Sequence, residues 1–189
     1  MLTTSFRALH KAGACRARYT HFARAMGGVK GYGRDTPIPL LRVLDENGIN
    51  DALWAFRACG EEALPVAQEF VLRCAEHVQH IGPPEVAACN AVTRRYLAGA
   101  ATREELRRAK AAAWNVPWVP CATEAAEAAA EAAGVADWDA DWATWASGVA
   151  RAARTAQSAV WAAEAAAAST APDSERQWQE ALLREMLAV

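Results

Sequence analysis

An all-α fold is predicted by three features of the 189-residue sequence. Alanine, the best helix former, fills 48 positions, and β-branched runs that would read as strands are nearly absent. Apolar residues recur at i, i+3, i+4 and i+7 rather than at every second position. Glycine and proline punctuate the chain into helix-length pieces. The length suits one domain of about eight or nine helices covering residues 1–189: a basic first helix (4–25), a glycine-rich loop (27–39) and a helical core (40–189). At 53% hydrophobic and 22% charged, the chain is neither disordered nor supercharged. No uninterrupted apolar run reaches the ~18–20 residues of a membrane span.

The first helix is expected from Thr4 to Ala25, with Thr4 or Ser5 as cap and Leu9, Ala12 and Phe22 on its buried side. The Gly27-Gly28 pair ends it. Four glycines and two prolines between Gly27 and Pro39 mark a connector. Leu40, Leu41, Val43 and Leu44 begin a short helix that stops at Asn47-Gly48. Asn50 is the expected cap of the next, which carries Ala52, Leu53, Trp54 and Phe56 and ends at Gly60.

A longer helix follows, with Pro65 in its first turn and Val66, Phe70, Val71, Cys74 and Val78 as its buried stripe. Gly82-Pro83-Pro84 interrupts the chain, and Pro84 opens a helix to about Leu97. Thr102 with Glu105 three residues on is a capping box. Trp114 to Pro120 reads as a rigid aromatic link, because Pro117 and Pro120 cannot sit in a helix interior. Beyond it one helix is expected to Gly134 and a second from Asp137 to Ala168, about 48 Å long if unbroken. On the second, Trp138, Trp142, Trp145, Val149, Ala152, Ala156, Val160 and Ala163 share a core-facing stripe. The last helix begins after Pro172, with Asp173 or Ser174 as cap and Leu182, Leu183, Met186 and Leu187 inward.

The five cysteines (Cys15, Cys59, Cys74, Cys89 and Cys121) lack paired spacing. They read as reduced thiols of a cytoplasmic protein, packed as small hydrophobes. Cys74, His77 and His80 lie three residues apart on one helix, yet no second cluster supplies the remaining ligands of a metal site. The dipole at a helix C-terminus is the more ordinary reason for such histidines. The basic loop Gly27–Arg34 lacks the spacing and preceding strand of a phosphate-binding loop. No glycine-flanked nucleophile is present. Neither a cofactor nor an enzymatic activity is expected.

Charge is distributed unevenly. The first 34 residues carry seven bases and no acid, so the remaining chain carries 13 bases against 22 acids. Between Lys110 and Arg151 there is no Lys or Arg, while Glu124, Glu127, Glu131, Asp137, Asp139 and Asp141 all fall there. The three glutamates share one helix face, and the aspartates surround the start of the long helix. A solvated, well-capped face is the ordinary account of such residues. The functional account is a docking surface for a basic protein partner, since complementary charge speeds association and selects partners.

Residues Pro37-Ile-Pro-Leu-Leu-Arg-Val-Leu-Asp-Glu-Asn-Gly-Ile-Asn-Asp-Ala-Leu-Trp-Ala-Phe-Arg-Ala58 are followed by Arg73-Cys-Ala-Glu-His77, the Pro-Pro helix, Tyr96-Leu-Ala-Gly99, the Thr102 box and Ala-Ala-Ala-Trp114. Together these resemble the all-helical, Ala- and Trp-rich proteins predicted to be immunity proteins of bacterial polymorphic toxin systems, a family also found among phage and prophage genes. The resemblance spans residues 37–189, and the basic first helix and the Pro117–Pro120 break depart from it. It implies a non-enzymatic inhibitor that binds a toxin or, as an anti-CRISPR would, a host-defence nuclease complex. The alternative expectation, from charge, is a nucleic-acid-binding protein using the basic first helix.

Overall fold

A computed structural model describes residues 1–60, 62–115, 122–137 and 172–188, with backbone alone at 122–124, 131, 135 and 172–174. The fold is all-α. Among the described residues the one sheet is a two-residue antiparallel pair, β1 (Thr3–Thr4) with β2 (Ile38–Pro39), which fastens the N-terminus beside the entry to the helical core.

The N-terminal segment is two helices rather than the single one expected over 4–25. α1 (Phe6–Lys11) starts at Ser5, whose hydroxyl accepts the Ala8 N–H at 3.1 Å. It ends because Gly13 takes a left-handed φ of +82°. There the Gly13 N–H reaches His10 O and the Ala14 N–H reaches Leu9 O, which satisfies the last carbonyls and turns the chain. α2 (Arg16–Ala25) then folds back, so that Tyr19 and Phe22 meet Phe6. The glycine-rich connector is not all loop: α3 (Val29–Tyr32) brings Tyr32 edge-on to Phe6 at 6.0 Å. Phe6 is fully buried, and three short helices close around its ring.

α4 (Leu40–Asn47) ends where expected, at Gly48. α5 (Ile49–Ala55) begins one residue before Asn50, so Asn50 is not its cap. Gly48, at φ +82°, serves both helices: its N–H donates to Leu44 O and its carbonyl accepts from Ala52 N–H. A 3-10 turn over Phe56–Ala58 finishes α5.

α6 (Ala63–Val78) is central, burying Phe70, Val71, Leu72, Cys74, Ala75 and Val78. α7 (Pro84–Leu97) begins at Pro84, whose missing N–H falls where a helix needs none. α8 (Arg103–Trp114) carries the capping box in full. α9 (Ala122–Ala136) packs against α6, α7 and α8. Its Ala125, Ala126, Ala128, Ala129, Ala130, Ala132, Ala133 and Ala136 are all buried, and side chains this small let the neighbouring helices approach closely. The helix passes through Gly134, where termination was expected. A Cβ there would meet only the end of the Lys110 side chain, 2.8 Å away at Nζ, so the glycine is an ordinary interior position of the helix rather than its end.

α10 (Pro172–Leu187) packs on α6 and α4, with Leu182, Leu183 and Leu187 buried and Met186 packed against the core. It starts at Pro172, which places Asp173 and Ser174 inside its first turn rather than before it. The aromatic link expected from Trp114 begins later, because Trp114 is the last residue of α8 and Asn115 its cap; residues 116–120, Cys121 and the long helix with its Trp138–Ala163 stripe lie outside the described residues.

Candidate functional site

The acidic segment divides into groups with different surroundings. Every described residue of α9 other than Glu127 and Gly134 is buried, and Glu127 is exposed. Asp137, one residue past α9, faces basic side chains of α8. Its carboxylate lies 2.7 Å from Arg103 Nε and 3.6 Å from Arg107 Nε. At the C-terminal end of a helix an aspartate meets the unfavourable pole of the macrodipole, and the two arginines offset it. The negative charge of Asp137 is therefore balanced within the chain. Asp139 and Asp141, and the side chains of Glu124 and Glu131, lie outside the described residues. Next to α9, at the end of α8, Trp114 is 60% exposed.

Cys74, His77 and His80 do not converge. Cys74 is completely buried in α6, and desolvation, together with the negative charge of Glu175, drives its thiol well above the usual range. The imidazole of His77 points towards α10, stacked on Trp178 with ring centroids 3.8 Å apart. Its Nε2 lies 3.2 Å from the Glu175 carboxylate. Exposed His80 sits in the 3-10 turn Gln79–Ile81, its Nδ1 3.0 Å from His77 O. Among the described residues no group of three or more His, Cys, Asp or Glu side chains is arranged to hold a metal ion.

Beside His77 runs an open hollow of about 580 Å³ between α6, α7 and α10. Arg94 spans it. Its Nε and Nη2 donate to the two Glu76 oxygens at 2.7 Å each, and Nη1 reaches Glu69 at 3.3 Å. Bidentate pairing of this kind is directional as well as charged, and it holds the guanidinium firmly in its protonated form. Arg73 completes the cluster by donating to Glu69. Glu175 is only 3% exposed and accepts a bond from Gln179 Nε2 at 2.9 Å. Glu175 is not among the acids that the charge pattern marks. A signal was available: it lies on the same helical stripe as Leu182, Leu183 and Leu187, an acid on an apolar face.

A second, smaller cavity of about 130 Å³ lies between α2 and the α4–α5 pair. Leu9, Tyr19, Phe22, Val43 and Trp54 give it apolar walls, while Asn47, Asp51 and Arg18 form a polar edge. Asn47 Nδ2 donates to Asp51 at 2.6 Å, and Arg57 lies over the Trp54 ring at 4.9 Å. Cys15, at the start of α2 on this cavity, is exposed rather than packed away as expected of all the cysteines. Hydrogen bonds from the Arg18 and Ala17 backbone N–H groups lower its thiol pKa. Cys59 behaves oppositely, with burial pushing it up to about 12, and Cys89 likewise to about 11.

Comparison with protein-family models, with curated proteins and with solved structures gives no match.

Proposed function

We propose that this is a non-enzymatic binding protein that neutralises a basic protein partner, acting as an immunity protein or a phage anti-CRISPR does. The observation that carries the reading is the outward side of α9. That helix buries alanine on every other described face and presents Glu127 to solvent, within a 40-residue interval containing no base. Glu124 and Glu131 stand three residues before and four after Glu127, on the same helical face. Asp139 and Asp141 extend the acidic stretch in sequence. Trp114 supports the same reading, because an exposed tryptophan on the neighbouring helix is the residue type that most often anchors a protein interface. Asp137 contributes differently. With Arg103 and Arg107 against it, it joins α9 to α8 and adds little to the outward field.

Two variants of the full chain test the proposal. Glu124→Gln, Glu127→Gln and Glu131→Gln together should abolish capture of the partner and its neutralisation on co-expression, while leaving the thermal midpoint nearly unchanged. Asp137→Asn should do the reverse, lowering the midpoint and retaining capture. Undiminished capture by the triple variant would exclude the α9 face as the docking surface.

A further inference from the structure

Five of the seven bases in the first 34 residues have no acidic partner among the described residues. Lys11, Arg16, Arg24, Lys30 and Arg34 are all exposed and take part in none of the ion pairs. The tertiary structure packs the segments that carry them into one unit. Phe6 of α1 touches Tyr19 and Phe22 of α2 and Tyr32 of α3, so the three short helices form one unit around a single ring. The Arg7 N–H donates to Arg34 O at 3.0 Å, which sets Arg34 beside the start of α1, and Lys11 follows Arg7 by one turn. On α2, Arg16 and Arg24 are eight residues apart on one face, about 12 Å along the axis. The first 44 residues contain one acid, Asp35, and Arg7 Nη2 already holds it at 2.7 Å.

The character of the surrounding surface selects among polyanions. Protein interfaces bury an apolar centre rich in aromatic residues, whereas nucleic-acid interfaces are polar and strongly positive. Among the described residues the only exposed large hydrophobic groups are Met1 and Trp114, and Trp114 belongs to α8. The aromatic residues of α1–α3 are instead turned inward around Phe6. We infer that the α1–α3 unit is a second interaction surface, one that binds the phosphodiester backbone of nucleic acid through Lys11, Arg16, Arg24, Lys30 and Arg34. Such binding is independent of base sequence, because phosphate contacts position a protein without reading bases. It is also separate from the α9 surface, and either function can fail without the other.

The test is fluorescence anisotropy of the full chain with a labelled mixed-sequence DNA duplex and a single-stranded RNA. Polyglutamate of similar length serves as competitor. If all five side chains contact phosphates, affinity for the duplex should fall roughly 500-fold between 50 and 200 mM salt, following a log–log slope near −4.5. The single strand should show a shallower slope, near −3.5. Changing all five residues to Gln should remove binding at 50 mM salt while circular dichroism stays native, because none of the five supports another group. Arg108→Gln, Lys110→Gln and Arg176→Gln together should leave affinity within twofold. The inference is overturned by absence of binding at 50 mM salt, or by retained binding in the five-site variant. Competition by polyglutamate at equal charge as effective as unlabelled duplex would also overturn it, and would assign the surface to an acidic protein.

Discussion

The imidazole of His77 lies nearly parallel to the indole of Trp178, with planes 12° apart and centroids 3.8 Å apart, although 101 residues separate them in sequence. The same imidazole reaches the buried carboxylate of Glu175, so one side chain of α6 meets two successive turns of α10. A double-mutant cycle with His77→Ala and Trp178→Ala should give a coupling energy of about 0.5–1.5 kcal/mol, the range for stacked rings. Urea denaturation of the four proteins measures it. Additive effects would mean that the stacking contributes no stability.

The alanine surface of α9 sets how closely its neighbours pack. Ala129 is completely buried, and the backbone carbonyl of this residue accepts a contact from Cys89 Sγ at 3.6 Å. Ala129→Leu should therefore destabilise the protein by about 1–3 kcal/mol through overpacking. Conversely, Leu183→Ala, in the fully buried face of α10, should cost about 2–5 kcal/mol through the cavity it leaves. Equilibrium denaturation distinguishes both from the wild type.

Two glycines respond oppositely to alanine. At Gly134 the added methyl meets only the end of the flexible Lys110 side chain, which can swing into solvent. Gly134→Ala should stabilise the protein by about 0.5–1 kcal/mol, the ordinary gain within a helix. At Gly82 the new Cβ would stand 2.6 Å from Val86 Cγ2 and 3.3 Å from Ala125 Cβ, between packed groups. Gly82→Ala should lower the thermal midpoint.

The Thr102–Glu105 capping box gives α8 a pH dependence of known sign. Glu105 Oε2 accepts the Thr102 N–H at 2.7 Å, and this bond, with a second from the Thr102 hydroxyl, holds its carboxyl below the usual carboxylate range. A group held low in the folded state stabilises the fold above its unfolded pKa, and the contribution disappears as pH falls through the folded value. Carbon-detected NMR titration should place Glu105 below an unperturbed glutamate, and Thr102→Val should move it upward. Thr102→Ala should cost about 1 kcal/mol at neutral pH. An unshifted Glu105 titration in the wild type would contradict the assignment.

Thiol reactivity should follow the opposed environments of the cysteines. In a Cys121→Ser background at pH 7.5, a maleimide probe should label Cys15 within minutes. Cys59, Cys74 and Cys89 should label only on unfolding, because buried thiols with raised pKa values expose little thiolate. Peptide mapping of the labelled protein identifies the sites.

The helices were largely legible in the sequence because their signals act within a few residues. Pro84 as a first helical residue, the Thr102 box and the Asn47-Gly48 stop are each local hydrogen-bonding or steric effects, and each lies where it was read. The misreadings came where glycine had two meanings. Gly13, inside an apparently continuous amphipathic pattern, breaks α1 from α2 by its positive φ, whereas Gly134 lies within α9 without ending it. Periodicity does not distinguish these cases, because glycine takes helical and left-handed φ about equally readily.

By itself, the sequence determined the all-helical class, most helix ends and the separation of positive from negative charge along the chain. Only the tertiary structure decided which charges remain available. Asp137 and Glu127 are equivalent as letters in one acidic stretch, yet Arg103 and Arg107 of α8 engage the first and the second faces water. In the same way Arg7 and Arg18 are held by Asp35 and Asp51, while Lys11, Arg16, Arg24, Lys30 and Arg34 stand without acidic partners among the described residues. The physical reason is range. Helix formation is governed by bonds between residues four apart, whereas an ion pair between helices depends on which faces the packing brings within a few ångströms.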